Sequence, residues 1–184
     1  MSSACKKTKG FSLAELLIAI AIVAILATVA IPSFTTLQQN TQRRASVNNF
    51  WHAIFLARSE AIKRNSVVAL CKSSNTTRCD NTPGNWSSGW IVFENLDRDS
   101  PAQLDNGEPI LRIYNANPLI SVTSSEGRQT FSFRPVTQSG VTGTITFCDT
   151  RGAKEARAII ISQTGRPRQS TKNASGRPLN CPAT

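Results

Sequence analysis

The sequence predicts an α+β protein in which one long N-terminal helix packs on an antiparallel β-sheet. Two observations lead to this prediction. Residues 11–65 combine a long apolar run with apolar side chains that recur every three or four positions, which is typical of a helix. Residues 66–184 contain short β-branched and aromatic segments separated by turn-forming residues, which is typical of strands. A helix followed by a run of strands indicates an α+β domain.

Residues 1–10 form a short polar and basic segment in front of an apolar run that covers residues 11–31. At about 1.5 Å per residue, that run is roughly 30 Å long as a helix, which is enough to cross a bilayer. An ordinary secretory signal places its small-residue cleavage site after the apolar core, whereas here Gly10 precedes it. The lysines of the first segment predict a cytoplasmic N-terminus, so residues 66–184 should form a periplasmic globular domain.

Glu15 is a carboxylate inside the apolar run. Placing such a group in a membrane costs about 2.5–3.5 kcal/mol on insertion scales, so it calls for a partner. No other charged residue lies between residues 11 and 31. The alternative is a plain signal anchor that tolerates a glutamate near its edge.

The order of these residues, KG followed by FSLAELLIAIAIVAILATVAIP, resembles the type III signal of type IV pilins and pseudopilins. The resemblance implies that a prepilin peptidase cleaves after Gly10 and that Phe11 becomes N-methylated. It also implies that Glu15 neutralises the N-terminal amine of a neighbouring subunit during assembly from the inner membrane into a filament of pilins. Pro32 lies where pilin helices commonly bend, and proline predicts a kink on physical grounds too.

The second half of the predicted helix carries one apolar stripe that should pack on the sheet. Its members are Val47, Phe50, Trp51, Ile54, Ala61 and Ile62. His52 lies one residue off the stripe and is predicted to be at the surface. The predicted strands are 66–72, 89–95, 109–115, 119–124, 129–134, 143–149 and 156–163. The remaining tail, 164–184, is rich in glycine, proline and serine and is predicted to be a loop.

Four of the five cysteines lie in the predicted globular domain, and their spacing fits no zinc site. Four cysteines allow three pairings, and a periplasmic location favours disulfides. We expect one bridge to close a short polar loop and the other to tie the tail to a strand. The expected pairs are Cys71–Cys79 and Cys148–Cys181; four unpaired buried thiols are the alternative.

The sequence offers little for catalysis, because its single histidine supports no Ser-His-Asp or Cys-His set. An acidic stretch contains Asp97, Asp99, Asp105 and Glu108, but its spacing does not match a calcium loop. A solvated connection between strands explains it better. We therefore expect a protein that is not an enzyme and that has neither a metal site nor a cofactor.

The net charge of +10 lies at the two ends of the chain. Residues 151–184 hold seven Lys or Arg against Glu155 alone, while residues 11–150 are nearly neutral. The tail repeats a short element, GRPR at 165–168 and GRP at 176–178. Arginine suits phosphate, and the bridge from Cys181 would hold the charges together, so the tail is a candidate surface for sequence-independent binding of duplex DNA. A solvated basic tail, or a surface that docks on acidic neighbours in a filament, is the alternative.

A second resemblance favours DNA. The order GW-IVFEN, then a strand ending in F-CD, then ARAIIISQTGRPR is similar to the C-terminal domain of GspH/FimT pseudopilins, and most of all to FimT members. These bind DNA in natural transformation through the arginines of a GRxR motif, which implies that role for Arg166 and Arg168. Lys172, Arg177, Arg151 and Lys154 join the candidate set on charge and proximity only. A minor pseudopilin that primes a type IV pilus or a type II secretion filament, without DNA binding, remains the alternative.

Overall fold

A computed structural model describes residues 12–81, 83–115, 117–135 and 142–182. Gly10 and Phe11, the predicted cleavage and methylation positions, lie outside these residues. The structure divides into two compact units, Met1–Asn40 and Thr41–Thr184. One helix, α1 (Leu13–Arg64), belongs to both units.

The part of α1 in the first unit begins with Ser12 as its N-cap residue. The Glu15 N–H donates to the Ser12 hydroxyl oxygen (3.2 Å), so a serine and a glutamate three residues later mark the first turn. The large apolar side chains that follow are more than half exposed at Leu13, Leu16, Leu17, Ile18, Ile20, Ile22, Val23, Ile25, Leu26 and Ile31. The most apolar window of α1 has a mean hydropathy of 2.7, so the helix is long and apolar enough to span a membrane.

Pro32 lies inside α1, and the Thr35 and Thr36 hydroxyls both donate to its carbonyl oxygen (2.9 and 3.0 Å). The Thr28 hydroxyl likewise donates to the Ile25 carbonyl (2.7 Å). These threonines satisfy their hydroxyls within the helix, which suits an apolar surrounding. The kink at Pro32 stays a prediction.

The second unit contains the rest of α1 and eight strands in two antiparallel sheets, where the sequence predicted one sheet. The strands are β1 (Val67–Lys72), β2 (Gly89–Asn95), β3 (Ile110–Asn115), β4 (Ser121–Ser124), β5 (Thr130–Phe133), β6 (Gly143–Cys148), β7 (Arg157–Ile161) and β8 (Pro167–Ser170). Sheet 1 has the order β3-β2-β1-β5 and sheet 2 the order β4-β6-β7-β8. Each of the seven predicted segments contains a strand.

The prediction that 164–184 is entirely loop was wrong for β8. Its residues, PRQS, have low β propensity, so the local pattern gave no strand signal. They pair with β7 because a tight turn directs the chain back along the free edge of that strand. The tail therefore adds the edge strand of sheet 2.

The core forms where the inner face of α1 meets both sheets. Phe50 is fully buried, and its ring makes edge-on contacts with Trp86, Trp90, Phe131 and Phe147 at centroid distances of 5.2–6.2 Å. Such aromatic pairs contribute about 0.5–1.5 kcal/mol each beyond their buried area.

The predicted stripe on α1 is correct for Val47, Phe50, Ile54 and Ala61, which are buried. It is wrong for Ile62, which is 63% exposed. The buried positions, with Ala57, advance by three, four, three and four residues, and Ile62 is one position further around the helix, about 100° from Ala61. Trp51 is half-buried on the same flank, and His52 is exposed as predicted.

Two smaller apolar clusters cover the outer faces of the sheets, and each contains a disulfide. Both predicted bridges are present: Cys71–Cys79 on sheet 1 and Cys148–Cys181 on sheet 2. All three clusters and both bridges lie within residues 47–181. The second unit thus contains its own core and its own crosslinks, so a fragment that starts near Thr41 has what it needs to fold alone.

Candidate nucleic-acid interface

The GRPR element forms the turn between β7 and β8 and the start of β8. Gly165 adopts a φ of 69°, a left-handed conformation that glycine tolerates best. Its N–H donates to the Ser162 carbonyl (2.8 Å), and the Ser162 N–H donates to the Arg166 carbonyl (3.2 Å). The backbone of Arg166 is therefore held by a hairpin turn, and its side chain is exposed.

Arg168 lies in β8 opposite Ile160, with an exposed side chain. Arg166 lies two residues earlier, in the turn just before β8, and its side chain is also exposed. Two residues of extended backbone span about 6.8 Å, which is the axial advance of about two nucleotides on one strand of a duplex. The spacing suits contacts with phosphates on a single strand.

A second small hairpin presents Lys172 and Arg177. Lys172 bridges to Pro178, and the Asn173 side-chain oxygen accepts hydrogen bonds from the N–H groups of Ser175 and Arg177 (3.0 and 2.9 Å). The Asn173 N–H donates to the Arg177 carbonyl (2.9 Å). The side chains of Lys172 and Arg177 are exposed on this ordered turn.

The tail is fastened to sheet 2 after this hairpin. Leu179 is 5% exposed and packs with Ala156 and Ala158, and Cys181 is bonded to Cys148 at the end of β6. The basic segment between β7 and Cys181 is therefore closed at both ends. This ordering lowers the entropy that binding must remove, because the cations are already positioned.

An open groove of about 540 Å³ lies between the second hairpin and the strands β4 and β6. Hydroxyl and amide side chains line much of it, including Thr144, Thr146, Asn173 and Asn180, and Arg177 lies at its wall. These groups donate and accept hydrogen bonds, so the groove adds polar contacts next to the basic tail.

Five of the six candidate cations are exposed: Arg166, Arg168, Lys172, Arg177 and Lys154. Within the described part of the chain, none of these five forms an ion pair with a carboxylate. Their positive charge is therefore available to an external anion.

Arg151 differs from these five cations, because its guanidinium binds the Asp149 carboxylate through two hydrogen bonds. The Arg151 Nε donates to one carboxylate oxygen (3.0 Å) and Nη2 donates to the other (2.6 Å). This hydrogen bonding holds the pKa of Asp149 below its usual value against the opposing effect of burial. Arg151 thus serves a structural ion pair, and we leave it out of the proposed binding set.

Arg43, which the sequence did not single out, joins the same ion pair from α1. Its Nη1 lies 3.0 Å from Asp149 and 3.7 Å from Glu155, and the Arg43 side chain is 4% exposed. The pair ties α1 to the residue after Cys148, and so supports the anchor of the tail. Arg43 lies four residues before Val47 and so continues the spacing of the buried face of α1, which is the signal that could have marked it.

The acidic stretch forms a hydrogen-bonded loop. The Glu108 carboxylate accepts from the Leu96 and Asp105 N–H groups (2.7 and 3.0 Å). The carboxylates of Asp97, Asp99 and Asp105 offer oxygens within 4.8 Å of one another. The Asp99 carboxylate already accepts hydrogen bonds from Asn95 and Gln103, and these bonds order the connection between β2 and β3.

Comparisons with known proteins agree with this architecture. The family model described as "Type II transport protein GspH" matches residues 46–165, and the model "Prokaryotic N-terminal methylation motif" matches residues 5–31. No curated protein matches the chain.

Two solved structures of the type IV minor pilin FimU from Pseudomonas aeruginosa strain PAO1, in two crystal forms, share the fold. They superpose with TM-scores of 0.54 and 0.55 at 15% identity, and cover 72% and 74% of this chain and 98% and 96% of their own. The GspH model matches more than half of the chain, and the methylation motif matches the segment that precedes this region. The chain therefore belongs to the type IV pilin-like GspH/FimT family of minor pilins and pseudopilins.

Proposed function

We propose that this chain is a minor type IV pilin that binds double-stranded DNA through its basic C-terminal segment during DNA uptake in natural transformation. The observation that carries the proposal is the closed tail, which holds Arg166 exposed in the turn before the edge strand β8 and Arg168 exposed within that strand. Lys172, Arg177 and Lys154 extend the positive surface. Contacts would go to phosphates, so binding should not depend on sequence.

The N-terminal segment would mediate assembly of the chain into a filament. Cleavage after Gly10 and methylation of Phe11 would leave Glu15 near a new N-terminus, where its carboxylate would neutralise the amine of a neighbouring pilin. Before assembly, the apolar part of α1 would span the inner membrane once, with the globular unit in the periplasm. After assembly, the tail would be displayed on the pilus at the cell surface. The proposal contains no catalytic step.

A salt-titrated binding assay tests the DNA role. A fragment from Gln38 to Thr184 is mixed with labelled duplex DNA, and anisotropy is measured at several salt concentrations. If four cations contact phosphates, the slope of log K against log salt should be about −3.6. Arg166→Ala combined with Arg168→Ala should abolish binding.

The matched control is Arg78→Ala combined with Arg112→Ala. It removes the same charge from exposed positions on the sheet 1 side of the unit, and it should bind like the parent. Equal binding by the parent and by the Arg166 and Arg168 double variant would overturn the proposal.

The second candidate is a minor pseudopilin that primes a pilus or a type II secretion filament without touching DNA. The match to the GspH model favours it, because that model describes a type II transport protein. It predicts that deletion blocks piliation or secretion while the soluble unit leaves DNA unbound.

A further inference from the structure

A cleft of about 250 Å³ lies between α1 and the β7–β8 hairpin, on the other side of β8 from Arg168. Side chains from both elements line it: Arg43, Arg44, Val47, Asn48, Arg157 and Gln169. Gln169 pairs with Ile159, a core residue, so it faces α1, whereas Arg168 pairs with Ile160 and faces outward. The edge strand thus carries a polar or cationic side chain on each face.

The cleft holds more positive charge than the nearby carboxylates neutralise. Asp149 and Glu155 lie against Arg43, and Asp149 also binds Arg151. Neither Arg44 nor Arg157 forms an ion pair within the described residues. Two carboxylates therefore face four arginines, which leaves a local excess of positive charge.

Arg157 is held in place for an external acceptor. Its Nη1 donates to the carbonyl oxygens of Glu155 and Ala156 (3.2 and 2.9 Å), which orients the planar guanidinium. Arg44 is exposed at the rim of the cleft. The charge of Arg157 also lowers the pKa of Arg43, although burial of Arg43 is the larger cause. A bound anion would relieve this repulsion.

The size and lining of the cleft indicate the ligand. A volume of about 250 Å³ is below the roughly 300–1,000 Å³ of a typical small-molecule pocket, so the cleft suits a single anionic group. Guanidinium groups and the side-chain amides of Asn48 and Gln169 supply hydrogen-bond donors of the kind that a phosphate oxyanion accepts.

We propose that Arg44 and Arg157 form a phosphate subsite that binds a phosphodiester of the same DNA duplex that contacts Arg166 and Arg168. The inference rests on the proposed DNA-binding function and extends it. The footprint then surrounds the edge strand β8 from both faces, so that backbone contacts come from α1 as well as from the tail. A surface of this width holds the duplex in one orientation, since phosphate contacts set register.

The test compares Arg44→Gln with Arg112→Gln in the fragment from Gln38 to Thr184. Arg112 is an exposed arginine on the edge strand of sheet 1, so the two variants lose equal charge. With labelled duplex DNA, the slope of log K against log salt concentration should be shallower by about 0.9 for Arg44→Gln than for the parent, which is the value for one phosphate contact. Arg112→Gln should keep the parent slope, and Arg44→Lys should restore it.

The outcomes separate this inference from the proposed function. If the parent binds DNA and needs Arg166 and Arg168, but Arg44→Gln has the slope of Arg112→Gln, the subsite is wrong and the tail alone binds. If the parent leaves DNA unbound, the proposed function fails and the subsite fails with it. Gln169→Glu provides a second variant: it lowers the charge of the cleft by one unit, as Arg44→Gln does, and it should therefore also weaken binding, whereas unchanged binding would count against the subsite.

Discussion

Replacing Asp149 with asparagine tests the buried ion pair that joins α1 to the end of β6. Asp149 accepts from Arg43 at 3.0 Å and from Arg151 at 2.6 Å, and its side chain is 3% exposed. Asparagine keeps the volume but removes the negative charge. Two guanidinium groups then lose their common carboxylate, and Glu155, at 3.7 Å, is the more distant carboxylate that still faces the buried Arg43.

The expected loss of stability is large because removing the nearest carboxylate leaves a buried positive charge less well compensated. Such changes cost about 3–5 kcal/mol. Glu155 remains within reach of Arg43, and Arg151 is partly solvated, so we expect the lower end, about 3 kcal/mol. For a unit of this size, about 3 °C of melting temperature corresponds to each kcal/mol, so the midpoint should fall by about 10 °C.

The assay is reversible thermal unfolding of the fragment from Gln38 to Thr184, followed by circular dichroism. Asp105→Asn is the matched control, since it removes the same charge from an exposed carboxylate. Its midpoint should stay within about 2 °C of the parent, because surface substitutions stay within about 0.5 kcal/mol.

The pH dependence gives a second readout. Hydrogen bonding from Arg151 holds the pKa of folded Asp149 below the value of about 3.9 for an unfolded aspartate. The stabilisation is therefore fully present above about pH 4 and is lost as the pH falls through the folded value. The midpoints of the parent and Asp149→Asn should converge below pH 4. The ion-pair reasoning would be refuted if the melting midpoint of Asp149→Asn stayed equally far below that of the parent at low pH. It would also be refuted if Asp149→Asn lowered the midpoint no more than Asp105→Asn does.

Three further predictions concern the tail and the leader. Replacing Cys148 and Cys181 with serine should destabilise the fragment by about 4 kcal/mol from loop entropy, measured as a lower denaturation midpoint, and should weaken DNA binding in the same preparation. Gly165→Ala should cost about 1–2 kcal/mol because alanine resists the left-handed φ of 69°; an unchanged midpoint would show that the turn rearranges. Coexpression of the full chain with a prepilin peptidase should shorten it after Gly10, and mass spectrometry should show an N-methylated Phe11; a product of full length would argue against this processing.

Local patterns predicted much of the fold. The seven strand segments and the buried face of α1 were visible because burial and secondary structure impose short periods on the sequence. Ile62 was misassigned because its flank of the helix is apolar yet extends past the packed face. The strand β8 was missed because Pro167, Arg168, Gln169 and Ser170 pair through a neighbouring edge and not through their own propensity.

The sequence by itself determined the class of protein. Gly10, Phe11 and Glu15 lie within six residues, inside the segment that the N-terminal methylation motif matches. The tertiary structure alone decided how the charges are used. Arg43 and Arg151 meet Asp149, while Arg44 and Arg157 line one cleft beside β8, although more than 100 residues separate Arg43 and Arg44 from Asp149 and Arg157. Charges carry no periodicity that marks their partners, so only packing and strand register show which arginines lie against carboxylates and which, among the described residues, do not.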